Sequence, residues 1–159
     1  MPLTFENAIK SCSLLAGHYC PGLKALSQAD RQKISTTSST IVTGSINIDV
    51  ALQAAHPNDP RWDYGIGWRI KSQAQSHNDL VCWIEIHQAY SLSDMKTVLA
   101  KLAFHRRWLK DNAPEIDLLH GKFVWVSTGK VGIPKHHRRK MAAEGLTLEG
   151  QRHQLLNGR

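Results

Sequence analysis

The chain has 159 residues, 42% of them hydrophobic and 21% charged, a balance that excludes wholesale disorder and collagen-like order. No stretch approaches the ~20 apolar residues of a membrane span, and residues 1–20 lack the basic-then-apolar pattern of a secretory signal. Three scattered cysteines (Cys12, Cys20, Cys82) make no disulfide framework, so a reduced, cytoplasmic setting without a membrane partner is expected. Length predicts one domain over 1–159, large enough for a core without staples. The net charge of +7 is uneven: residues 1–80 hold seven basic and six acidic residues, residues 81–159 thirteen and seven. A basic half beside a neutral one suggests a face for a polyanion, nucleic acid first.

In chain order, Thr4 is an N-cap for a helix from Phe5 to Ala16, with Ile9, Leu14 and Leu15 apolar and Gly17 ending it. Leu23 to Ile34 reads as a second helix. Ile46, Ile48, Val50 and Leu52 then alternate with polar or small residues, which predicts a strand. After a turn at His56–Pro60, Trp62, Tyr64, Ile66, Trp68 and Ile70 alternate with Asp63, Gly65, Gly67 and Arg69, a second strand. Beyond a polar loop (Ser72–Asp79), Leu80–Ala89 is a third, apolar enough to be central. Its Val81 and Trp83 face also carries Glu85 and His87. Ser91 or Ser93 caps a long helix to about Asp111, with Met95, Val98, Leu99, Leu102 and Leu109 as its apolar stripe. Ala113-Pro114 breaks it, Lys122–Ser127 forms a buried strand, and a basic C-terminal extension from about residue 134 opens on Lys135–Lys140. Leu146–Arg159 reads as a last short helix. This order predicts an α/β fold with a mixed four-stranded sheet flanked by helices.

Chemistry concentrates on two neighbouring strands. Glu85 and His87 share a face by period two, and Asp63 on the strand before joins them if it faces the same side. Two carboxylates are costly to bury together without a cation. Two carboxylates, a backbone carbonyl and waters suit Mg²⁺. Gly65 and Gly67 leave room on that face for a substrate backbone to approach.

Arg61-Trp62-Asp63-Tyr64-Gly65-Ile66, followed 22 residues after Asp63 by Glu85-Ile86-His87, resembles the PD-(D/E)XK nuclease superfamily over about residues 5–130. The resemblance implies an αβββαβ, restriction-endonuclease-like core and Mg²⁺-dependent hydrolysis of phosphodiesters in DNA or RNA, with Mn²⁺ as the other metal. It implies that Asp63, Glu85 and the Ile86 carbonyl are the metal ligands, with Glu6 as an additional acid near the first helix. His87 stands where the superfamily has lysine. Histidine can accept a proton as a general base, and Lys101 on the following helix can supply the missing charge if it turns inward.

Arg69, Lys130, Lys135, Arg138, Arg139 and Lys140 are the candidate phosphate contacts, and their use would make binding strongly salt-dependent. The five tryptophans and Tyr64 read as core. Cys12, His18 and Cys20 lack a fourth zinc ligand at sensible spacing, and Asp49 reads as a surface acid near the site. No phosphate-cradling glycine loop and no Ser or Cys triad is present. Two other classes stay open: a catalytically inactive module of the same fold binding nucleic acid or a protein partner, and a structural protein with neither role. A homodimer would be one route to specificity for a nuclease this small.

Overall fold

The structure, a computed structural model, describes residues 1–155. Its main sheet has six strands rather than the expected four. They lie in the order β1 (Tyr19–Cys20), β3 (Thr40–Asn47), β4 (Tyr64–Ile70), β5 (Leu80–His87), β6 (Gly121–Ser127) and β7 (Leu146–Glu149). A separate two-stranded sheet pairs β2 (Ile34–Thr36) in parallel with β8 (His153–Leu155). The pairings from β1 to β5 are antiparallel, and β6 and β7 add in parallel. The α/β class and the mixed sheet are as expected. The strand count differs because the two shortest strands, β1 and β7, sit at the edges, where two to four residues show no clear period.

Parallel additions require crossovers. Helix α4 (Leu92–Asn112) carries the chain from β5 to β6, and α6 (Lys135–Ala143) carries it from β6 to β7. The basic stretch from 134 is therefore the start of a crossover helix built into the sheet. Both helices pack on one face with α1 (Phe5–Lys10) and α5 (Pro114–Asp117), around Trp62, Trp83 and Trp125. Tyr64, Ile66, Trp68, Cys82, Ile84, Val124 and Val126 point to the opposite face, covered by Leu26, Ile34 and Leu155. All five tryptophans are buried, as expected.

Local chemistry sets the element ends. Thr4 Oγ1 accepts from Asn7 N–H, and Phe5, Ala8 and Ile9 form the buried stripe of α1. That helix stops at Lys10 rather than Ala16, in a series of turns. Ser91 and Asp94 form a reciprocal capping box at the start of α4, and Pro114 follows at its end. Gly145, at φ +87°, makes the left-handed exit from α6 into β7.

Three expected elements are different. The alternation at Ile46–Leu52 belongs to a strand only as far as Asn47. The Asn47 side chain then accepts from Val50 N–H and caps α3 (Ile48–Leu52). Between 23 and 34 only α2 (Gln28–Arg31) is helical, and Ile34 enters β2. The residues after 146 form β7 and β8 instead of a helix, and 156–159 lie outside the described residues.

Candidate functional site

Asp63 and Glu85 do face the same side of the sheet, and the main chain locks them together. The register Tyr64↔Ile84 places them on neighbouring strands. Asp63 N–H donates to Glu85 Oε1 at 3.1 Å, and Ile86 N–H donates to Asp63 Oδ2 at 2.9 Å. The Asp63 carbonyl accepts from Ile48 N–H at 2.9 Å, so the start of α3 fixes the same residue from behind.

One oxygen of each carboxylate remains, and both turn to one cation. Lys101 Nζ donates to Glu85 Oε2 at 2.5 Å and stands 3.8 Å from Asp63 Oδ1. The lysine of α4 thus turns inward, while His87 makes no contact with either acid. His87 lies at the end of β5, half-buried, its ring edge-on to Trp125. Its Nδ1 donates to the Gln88 carbonyl at 2.7 Å, which leaves Nε2 as the free acceptor of the neutral ring.

Burial governs the electrostatics. Glu85 has no exposed surface. Desolvation, joined by the Asp63 charge, pushes its carboxyl up to about 8 against the pull of Lys101. Asp63 is raised too, chiefly by burial, while Lys101 and the Ile86 amide oppose the rise. For Lys101 burial works downward, but the two carboxylates overcome it and hold the ammonium above its ordinary range. Asp49 adds its negative field to Asp63 and Lys101 while its own carboxylate is held by Arg61 Nε at 2.9 Å. Asp30, contributed by α2, also raises Asp63 and accepts from Tyr64 Oη at 2.7 Å. No pattern in the sequence placed Asp30 there, because α2 reaches the site through a loop.

Other expected members are elsewhere. Glu6 is half-buried and paired with Lys10. Arg69 is tied to buried Asp79 at 2.8 Å, six positions along β4 from Asp63 and so about 20 Å away at ~3.3 Å per residue. It is a structural ion pair and is out of reach of the site. The space over Gly65 and Gly67 is not open to a substrate: the Trp83 ring covers the first and the Phe5 ring the second.

The basic segment begins at the carboxylate end of the sheet. Thr128 N–H bonds the His87 carbonyl and Gly132 N–H bonds that of Ala89, so exposed Lys130 lies on a loop fastened beside the site. Lys135, Arg139 and Lys140 are exposed on α6, and none is in an ion pair among the described residues. Arg138 is half-buried and donates to the Leu148 carbonyl at 3.3 Å. Among the described residues no group of three or more His, Cys, Asp and Glu side chains is placed to hold a metal, and no helix is long and apolar enough to cross a membrane. No protein-family model, curated protein or solved structure matches the chain.

Proposed function

We propose that this chain is a nucleic-acid phosphodiesterase of the PD-(D/E)XK kind, with DNA the first candidate substrate and Mg²⁺ or Mn²⁺ as its metal. The convergence of Asp63 Oδ1 and Glu85 Oε2 on a single ammonium carries the proposal, since it marks a position where two carboxylates already favour a cation. The chain order α1, antiparallel β3–β4–β5, α4 and parallel β6 supports it as an αβββαβ core.

The donor set fits a hard divalent ion. Asp63 and Glu85 would hold it, with the Ile86 carbonyl as third ligand. In an antiparallel pair a residue's N–H and C=O face the same neighbour, and the Ile86 amide already faces Asp63. Two carboxylates, one carbonyl and waters match Mg²⁺ better than a softer metal. When bound, such an ion supplies polarisation of the scissile phosphate and a water of lowered pKa. Lys101 contributes fixed positive charge against the charge that builds on the phosphate. His87 Nε2 accepts the proton of the attacking water. Lys130, Lys135, Arg139 and Lys140 hold the flanking phosphates.

The test is cleavage of labelled DNA and RNA with Mg²⁺, Mn²⁺ or EDTA. Asp63→Asn and Glu85→Gln should each abolish product while binding persists, and cleavage surviving both removes the proposal. A second reading has its own observation. Lys101 already neutralises the carboxylates, as it would in an inactive module that retains only binding. That reading expects salt-sensitive binding and no product with either metal.

A further inference from the structure

Tyr90 stands in the connection between β5 and α4, five residues after Glu85, with 54% of its surface exposed. Its main chain is nevertheless fixed from several directions. Tyr90 N–H donates to Asp94 Oδ2 at 2.9 Å, and the preceding Ala89 carbonyl accepts from Gly132 N–H at 2.7 Å. The loop after β6 packs directly on it. A β-carbon at Gly129 would stand 2.6 Å from Tyr90 Oη, and one at Gly132 would strike the Tyr90 carbonyl. Two glycines thus let the loop buttress one edge of the residue while much of the ring stays in solvent. A pre-positioned aromatic surface of this kind is what base stacking uses.

Asp94 is the anion beneath Tyr90, and two lysines follow on the buttressing segment. Lys130 lies between the two buttressing glycines, exposed, and Lys135 opens α6 five residues on. The Asp94 carboxylate reaches back one turn to the Ser91 and Tyr90 amides, which places Tyr90 at the start of α4, with Lys101 ten residues beyond the Ser91 cap. This is about 15 Å along the helix, or about four base steps of 3.4 Å. A strand with its backbone on Lys130 could then bring one nucleotide to Tyr90 and another to Asp63 and Glu85.

We propose that Tyr90 stacks an unpaired base of a single-stranded nucleic acid entering the site past Lys130, so that single strands are the substrate class in preference to duplexes. This rests on the phosphodiesterase reading above. In a duplex the base faces are occupied by their neighbours and cannot reach such a ring without unstacking.

The experiment measures fluorescence anisotropy of a fluorescein-labelled oligothymidylate and of a blunt-ended two-strand duplex, at low salt with EDTA to prevent cleavage. The parent should bind the oligothymidylate more tightly. Tyr90→Ala and the bulk-preserving Tyr90→Leu should weaken that binding about 5-fold or more and leave duplex binding unchanged, while Tyr90→Phe keeps parental affinity. Unchanged single-strand binding in Tyr90→Ala and Tyr90→Leu, or tighter binding of the duplex by the parent, overturns the proposal. If Asp63-dependent cleavage is present and Tyr90→Ala binds normally, only the stacking role fails. If neither probe binds and neither is cleaved, the phosphodiesterase reading fails with it.

Discussion

The Lys101 ammonium donates to Glu85 Oε2 at 2.5 Å at a point where Glu85 has no contact with solvent. The pair brings together α4 and β5, and Asp63 joins it at 3.8 Å from the same nitrogen. A buried carboxylate pair survives in the fold because this one cation sits between its free oxygens.

Removing the cation should therefore expose the cost. Above pH 8, where Glu85 is ionised, Lys101→Met is expected to destabilise the protein by about 3–5 kcal/mol, the usual penalty for stranding a buried charge. If a divalent ion occupies the same position, Mg²⁺ should raise the melting temperature of Lys101→Met more than that of the parent. Thermal denaturation with Mg²⁺ and with EDTA measures both effects.

Glu85 should make stability fall across the neutral range. Its folded value of about 8 lies above the ordinary carboxylate range, so the folded state holds a proton that the unfolded chain releases. The contribution is complete below about pH 4.3 and is lost as pH rises towards 8, with a slope of at most about 1.4 kcal/mol per pH unit. Glu85→Gln should flatten that slope in denaturant titrations run in EDTA.

His105 should act on the acid side, with the opposite sign. It is wholly buried against Trp62, Trp83 and Phe123, neither ring nitrogen has a partner, and burial alone lowers its value to about 3. Stability present above about pH 6.5 is lost as pH falls towards 3, because the unfolded chain takes up a proton that the folded one refuses. His105→Phe keeps an aromatic ring there and should reduce this acid loss. At neutral pH it should cost little or stabilise slightly, since two unpartnered polar atoms leave the core.

The exposed charges of α6 should register in salt dependence. Charge reversal of Lys135, Arg139 or Lys140 should weaken binding of any labelled nucleic acid and reduce the slope of log K against log salt by about one for each lost phosphate contact. Arg69→Ala should leave that slope unchanged, because Arg69 is held by Asp79 at the far end of β4.

The sequence made β4, β5 and α4 legible because each declares itself locally. β4 keeps strict alternation, β5 is a nearly continuous apolar run, and a serine cap at Ser91 or Ser93 marks the start of α4. Alternation put Glu85 and His87 on one face, and the register of β4 against β5 adds Asp63 to it. The same periodicity misled at Ile48–Leu52, where apolar spacing continues but the Asn47 cap turns the chain into a helix. Lys101 could be named but not oriented, since its inward turn depends on how α4 rotates over β5. Glu6 and Arg69 were plausible by residue type, yet each has another partner: Lys10 one turn along the same helix for Glu6, and Asp79 across a loop, which only the tertiary structure supplies, for Arg69. Tyr90 gave no periodic signal because it stands in the connection between β5 and α4.

The pairing of β2 with β8 has a consequence for the order of assembly during synthesis. The Thr40 hydroxyl reaches the Leu155 carbonyl across 115 positions, and Ile34 cannot pair until His153 exists. The face containing Cys82 and Ile84 therefore stays partly uncovered on the ribosome until the last strand emerges, after the elements that bring Asp63, Glu85 and Lys101 together. Closure of that apolar face, a highly nonlocal event, should be the slow stage and the one at which a nascent chain is most prone to aggregate.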